Sequence, residues 1–110
     1  MQTEHDYPNG TTTGTTTTAY VVALTIQNCA GAIFQIKNTA GVNGLKYKVN
    51  GYISAKASCI ATAIIAETTL AHSTASGLLT SINSPYAKIE ILVTVETANT
   101  TTYQIDWIAY

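Results

Sequence analysis

The sequence predicts an all-β protein: an antiparallel β-sandwich or jelly-roll-like barrel of about seven to eight strands, with an extended Thr-rich N-terminal arm. Three observations carry this. Threonine, whose branched Cβ suits strands better than helices, accounts for 20 of the 110 residues. From Ala19 onward apolar residues recur at every second position, the period of a half-buried strand. The alternating runs repeat about every ten residues and are divided by Gly, Asn, Ser and Pro, as in sandwiches and barrels.

Residues 1–18 form the arm. Thr11 to Thr18 are broken only by Gly14, and the run holds no large apolar residue to anchor a core. Such a segment is either a free tail or a β-prone arm that orders against a neighbouring subunit. The sandwich domain is expected over 19–110. In its first strand Val22, Leu24 and Ile26 share one face, and Ala23, Thr25 and Gln27 the other. Residues 33–38 set Phe34 and Ile36 against Gln35 and Lys37. A Gly- and Asn-rich turn at 40–44 then predicts a hairpin to a long strand in which Leu45, Tyr47, Val49, Gly51 and Ile53 alternate with Lys46, Lys48, Asn50, Tyr52 and Ser54. Gly51 marks a bulge or a close approach there.

The alanines of 58–67 also fit a buried helix, but isoleucine content and short length favour a strand. Residues 68–76 read as a polar loop, 77–82 as a short strand and Ser84-Pro85 as a turn. Ala87, Ile89, Ile91, Val93 and Val95 alternate with Lys88, Glu90, Leu92, Thr94 and Glu96. After a turn at 98–100, Tyr103, Ile105, Trp107 and Ala109 alternate with Gln104, Asp106 and Ile108. These last two strands read as a terminal hairpin. The inner faces would be lined by Val, Ile, Leu, Tyr47, Tyr103 and Trp107, with Thr and short polar residues outside.

Charge is scarce: five Lys, six acids and no Arg give a net charge of −1. A basic footprint for phosphates and the bidentate Arg fork for base edges are both missing, so no nucleic acid partner is expected. The apolar runs fall far short of the roughly 20 residues of a spanning helix, so no membrane partner is expected either. Residues 1–10, with Glu4, His5 and Asp6, do not read as a secretory signal. Few lysines also leave the sheet edges poorly protected, which favours lateral association with other chains.

No catalytic, cofactor-binding or metal-binding residues are predicted. His5 lies in the arm, and His72 adjoins Ser73 in a polar loop, where sequence neighbours on an extended backbone point to opposite sides. No Gly-x-Ser-x-Gly elbow and no His pair at metal spacing occurs. Glu90 and Glu96 share an outward parity, with Asp106 on the adjoining strand, which fits a Lys-balanced sheet surface better than an acid pair in a cleft. Cys29 and Cys59 read as free, mostly buried thiols rather than a disulfide or zinc ligands. The sequons Asn9-Gly10-Thr11 and Asn99-Thr100-Thr101 arise readily by chance in so Thr-rich a chain. Tyr52 and Tyr86 read as scattered surface rings, and Trp107 as core.

The segments Phe34-Gln35-Ile36-Lys37-Asn38-Thr39, Leu45-Lys46-Tyr47-Lys48-Val49-Asn50-Gly51, Ala66-Glu67-Thr68-Thr69-Leu70-Ala71 and Ser84-Pro85-Tyr86-Ala87 together resemble small β-sandwich structural proteins of tailed bacteriophages, of the capsid decoration or minor virion protein type. The chain departs from that pattern in carrying Ile64 and Ile65 on a strand where a Trp is common. The resemblance implies no reaction and no cofactor. It implies a homo-oligomeric virion protein, assembled in the host cytoplasm, that binds the capsid or another virion protein through sandwich surfaces and its arm. A carbohydrate-binding or adhesin-like module of a host-recognition apparatus is the alternative, and it would need coplanar exposed rings beside a polar groove. A hydrolase would need His72 or two acids converging in a pocket.

Overall fold

The computed structural model describes residues 7–39, 43–54, 56, 58–71, 78–82, 85–96 and 100–110. Among these, eight strands and no helix are present: β1 (Asn9–Thr16), β2 (Val21–Cys29), β3 (Ala32–Asn38), β4 (Leu45–Tyr52), β5 (Thr62–Leu70), β6 (Leu78–Ile82), β7 (Tyr86–Val95) and β8 (Thr101–Ala109). They form two antiparallel sheets of four strands, β1-β8-β3-β6 and β2-β7-β4-β5. His5, His72, Ser73, Ser84 and Asn99 lie outside the described residues, as does most of the 40–44 turn.

The topology is that of one long hairpin rolled up. β4 pairs with β5, β3 with β6, β2 with β7 and β1 with β8, each rung nested inside the next. Rolling that ladder sends alternate rungs to opposite sheets and makes a jelly roll. Phe34, Ile36, Leu45, Tyr47, Val49, Ile89, Ile91, Val93 and Ile105 fill the space between the sheets, each at most 1% exposed. The expected parity of these residues holds along β3, β4, β7 and most of β8.

Two expected hairpins are not formed. β3 and β4 belong to different sheets, and so do β7 and β8. Both connections cross the sandwich at one end, where a buried polar cluster holds them. The Asn38 side-chain amide, at the last residue of β3 and 1% exposed, donates to the carbonyls of Asn43 (2.9 Å) and Leu70 (3.2 Å). Thr101, at the start of β8, donates its hydroxyl to Asn38 Oδ1 at 3.0 Å. Asn43 Nδ2 donates to the Thr100 carbonyl at 2.7 Å. Alternation dictates which side of a strand is buried, but either sheet satisfies it; this cluster is what ties the crossings in place.

The Thr-rich stretch is extended, and its partner is its own chain. β1 pairs with β8 from Asn9↔Ile108 to Thr16↔Thr101, so Asn9–Thr16 is the outer strand of the first sheet rather than a segment detached from it. Gly10 stands opposite Trp107, and Gly14 opposite Tyr103. The two rings lean over the two glycines: a Cβ on Gly10 would come within 3.3 Å of Trp107 Nε1, and one on Gly14 within 2.5 Å of the Tyr103 hydroxyl. Aromatic cover of a bare glycine backbone is a known way to stabilise a weak edge strand.

Three smaller differences have local causes. A bulge between Val22 and Leu24 shifts the parity of β2, leaving Val22 49% exposed while Leu24 and Ile26 are buried. β4 ends at Tyr52, so Ile53 falls outside the sandwich. β5 starts at Thr62 and runs on to Leu70, because Thr68 and Thr69 pair with Tyr47 and Lys46 instead of forming a loop. Gly51 is a close approach, as expected: a Cβ there would meet the Tyr86 ring.

Candidate functional site: an apolar end

The register places one set of strand ends together. Cys29 pairs with Tyr86, Tyr52 with Lys88, Gly51 with Thr62, Ala32 with both Ile82 and Ala109, and Asn9 with Ile108. The start of β1 and the ends of β2, β4, β6 and β8 therefore share one end of the sandwich, opposite the Asn38 cluster. Backbone bonds close it: Gly31 N donates to the Tyr110 carbonyl (3.0 Å), Tyr110 N to the Gly31 carbonyl (2.9 Å) and Ala109 N to the Pro8 carbonyl (2.8 Å). Asn28, the penultimate residue of β2, has φ 53°, a left-handed conformation Asn tolerates.

Among the described residues, this end carries four of the five large apolar residues that remain in solvent, Val22 being the other. Ile53 is 82% exposed and Ile60 85%; Tyr7 and Tyr110 are roughly half as exposed. Two depressions adjoin there, sharing Asn28 and Cys29. One, of about 160 Å³, opens between the sheets beside Pro8, Ile26, Trp107 and Tyr110. The other, about 470 Å³ and shallower, is bounded by Ile53, Pro85 and Tyr86. Exposed aliphatic side chains gathered at one place on a folded domain mark a protein contact more often than a catalytic site.

The sheet faces are built differently, since their charges satisfy one another. On the second sheet Glu67 accepts the Tyr20 hydroxyl and sits 3.6 Å from Lys46, while Lys48 lies 4.2 Å over the Tyr20 ring. Burial, reinforced by the Glu67 carboxylate, pushes the Tyr20 phenol well above its usual range, and the bond from Tyr20 holds Glu67 low. Tyr52 donates to Glu90 at 2.7 Å, which raises the phenol, and Lys88 approaches both Glu90 (3.8 Å) and the Tyr52 ring (4.3 Å). On the first sheet Asp106 accepts from Thr11 (2.7 Å) and Gln104 (3.2 Å) with Lys37 at 3.7 Å, and its carboxyl is held low chiefly by the Thr11 bond.

Asp106 thus lies in the opposite sheet from Glu90, not on a strand adjoining it, because β7 and β8 are not neighbours. Cys29 is buried and Cys59 half-buried; both are free, and burial pushes the Cys29 thiol up, which makes it a poor nucleophile. Among the described residues no three His, Cys, Asp or Glu side chains gather as a metal site. Tyr86 covers Gly51, and Trp107 is half-buried against the core beside Gly10. Tyr7 and Tyr110 meet edge to face at 72°, so they make no coplanar sugar platform.

Sequence reasoning missed Ile53 and Ile60 because it placed both within strands. The signal was present: the small and polar run Ser54-Ala55-Lys56-Ala57-Ser58 reads as a connection, and the two isoleucines flank it.

No family model matches the chain, and no curated protein matches it. Solved structures do. The chain is similar to the Yersinia pseudotuberculosis-derived mitogen, at 10% identity over 94% of this chain and 87% of that one, with a TM-score of 0.66. It is similar to PirA at 10% identity, over all of this chain and 99% of that one, with a TM-score of 0.57. A weaker likeness, TM-score 0.49 at 9% identity over 97% and 94% of the two chains, is to a structure of pili from Bacillus endospore appendages. At such identities what the chain shares with the first two is the fold, an all-β sandwich of two sheets.

Proposed function

We propose that this protein is a non-enzymatic structural protein of a virion, a capsid decoration or auxiliary subunit that docks onto the shell or another virion component. The observation that carries the reading is the apolar end, where Ile53 and Ile60 stand almost fully in solvent while every charge described on the sheet faces is engaged within the chain. Burying two isoleucines in a partner is worth about 1.5–3 kcal/mol each. Tyr7 and Pro8 lead into β1 at the same end, so the N-terminal segment contributes to that contact while Asn9–Thr16 stays in the sheet. The sequence resemblance to phage decoration proteins supports the same reading, and it is the source of the partner assignment. Jelly rolls are a common shell architecture, though lectins use them too.

Virions purified from the source culture are expected to carry this chain. Added to particles depleted of it, the wild-type protein is expected to co-sediment, and the Ile53→Lys/Ile60→Lys double variant to do so at least tenfold more weakly with its circular dichroism unchanged. Equal binding by both would remove the apolar end from the account, and virions lacking the chain would remove the reading itself.

A further inference from the structure

Charge is distributed over the strands in the reverse of the usual pattern. Exposed sheet edges are ordinarily blunted by Lys, Pro or bulges, because a free row of backbone N–H and C=O groups templates another strand. The edges here are β1 and β6 in the first sheet and β2 and β5 in the second. Seven charged residues lie on strands, and six of them, Lys37, Lys46, Lys48, Lys88, Glu90 and Asp106, occupy the four inner strands. The edge strands contain no Lys and no Pro, and their one charge, Glu67, is drawn onto Tyr20 and Lys46 of its own sheet. Bulges interrupt β2 once and β5 twice, so the two edges of the first sheet, β1 and β6, are the ones with no such device.

The two sheets stack with β1 beside β2, which leaves β5 and β6 along the opposite flank. Each sheet has four antiparallel strands, so its two edges run in opposite directions. A second copy displaced sideways without rotation therefore sets β6 of one molecule antiparallel to β1 of the next, and β5 antiparallel to β2. The first sheet then continues across the junction with the hydrogen-bonding pattern it already has, and the second continues along the regular stretches of β2 and β5 between their bulges.

We propose that copies of this chain associate head to tail through these flanks, β1 and β2 of one subunit against β5 and β6 of the next, forming a row or a closed ring. The inference rests on the structural-protein reading only for its biological use.

Complementary blocked variants test it. Thr13→Lys with Thr25→Lys charges the β1/β2 flank, and Ala66→Lys with Thr69→Lys charges the β5 side of the other; all four positions are exposed. By mass photometry and sedimentation velocity the wild type is expected to form multimers. Each variant alone is expected to stay monomeric, with an apparent Kd raised at least tenfold. An equimolar mixture of the two is expected to form dimers and stop, because one intact flank of each kind remains. Should a variant lose its β-sheet spectrum, Thr15→Lys with Gln27→Lys, or Thr62→Lys, takes its place. A wild type that stays monomeric at high concentration, a blocked variant that dimerises alone, or a mixture that does not pair would each overturn the proposal. A monomeric wild type that still occupies virions would do so while leaving the docking reading intact.

Discussion

Asn38→Ala is expected to lower the free energy of unfolding by about 2–4 kcal/mol, since truncation removes three hydrogen bonds of a buried amide and leaves only the Thr101 hydroxyl bond to the Asn43 carbonyl (3.1 Å) in the cluster's centre. The bonds lost are those to the carbonyls of Asn43 and Leu70 and from the Thr101 hydroxyl. They tie both sheet-to-sheet crossings at that end, so the damage is not confined to one loop. In a domain of this size roughly 4–8 °C of Tm is lost per kcal/mol, which puts the midpoint about 8–32 °C lower. Thr39→Ala is the control. Thr39 is exposed and bonds the Thr102 hydroxyl at 2.7 Å, and its loss is expected to cost no more than ~0.5 kcal/mol. Equal melting of the two variants would show that the crossings are held by something other than the Asn38 cluster.

Gly14→Val is expected to cost about 1–3 kcal/mol and to loosen β1 selectively. The new Cβ would stand 2.5 Å from the Tyr103 hydroxyl and 2.8 Å from its ring, and Tyr103 is 7% exposed, with little room to swing away. The strand must then lift from β8. Trp107, the only tryptophan, lies beneath the same strand at Gly10, so its emission is expected to shift to the red as water reaches it. Thr13→Val, on the exposed side of β1, is expected to change neither midpoint nor emission. An unshifted Trp107 spectrum in Gly14→Val would mean that the glycine–aromatic pairs do not hold the strand.

These two variants also mark where the sequence was readable. Which side of each strand is buried could be read from alternation, as in Leu45, Tyr47 and Val49 or Ile89, Ile91 and Val93, because side-chain direction is a local property of period two. Partner choice was not, and both expected hairpins failed for that reason: alternation is satisfied in either sheet, and the choice rests on contacts such as Asn38 to Leu70, far apart in sequence. One long-range pairing was legible after all. Gly10 and Gly14 are four residues apart, as are Tyr103 and Trp107, and antiparallel pairing superimposes the two spacings. The apolar end was hidden because an isoleucine beyond a strand terminus looks like core until the terminus is known. Ile53 and Ile60 are set apart from Ile89 by where β4 stops and where β5 starts.

The central claim is that this jelly roll meets its partner through the apolar end. Hydrogen–deuterium exchange of the chain, free and bound to depleted virions, tests that most directly. The account expects slowed exchange on binding in peptides covering 53–61 and in those leading into β1 from Tyr7, with the inner strands β7 and β8 unchanged. Protection confined to the outer face of either sheet, with 53–61 exchanging as fast as in the free protein, would contradict it.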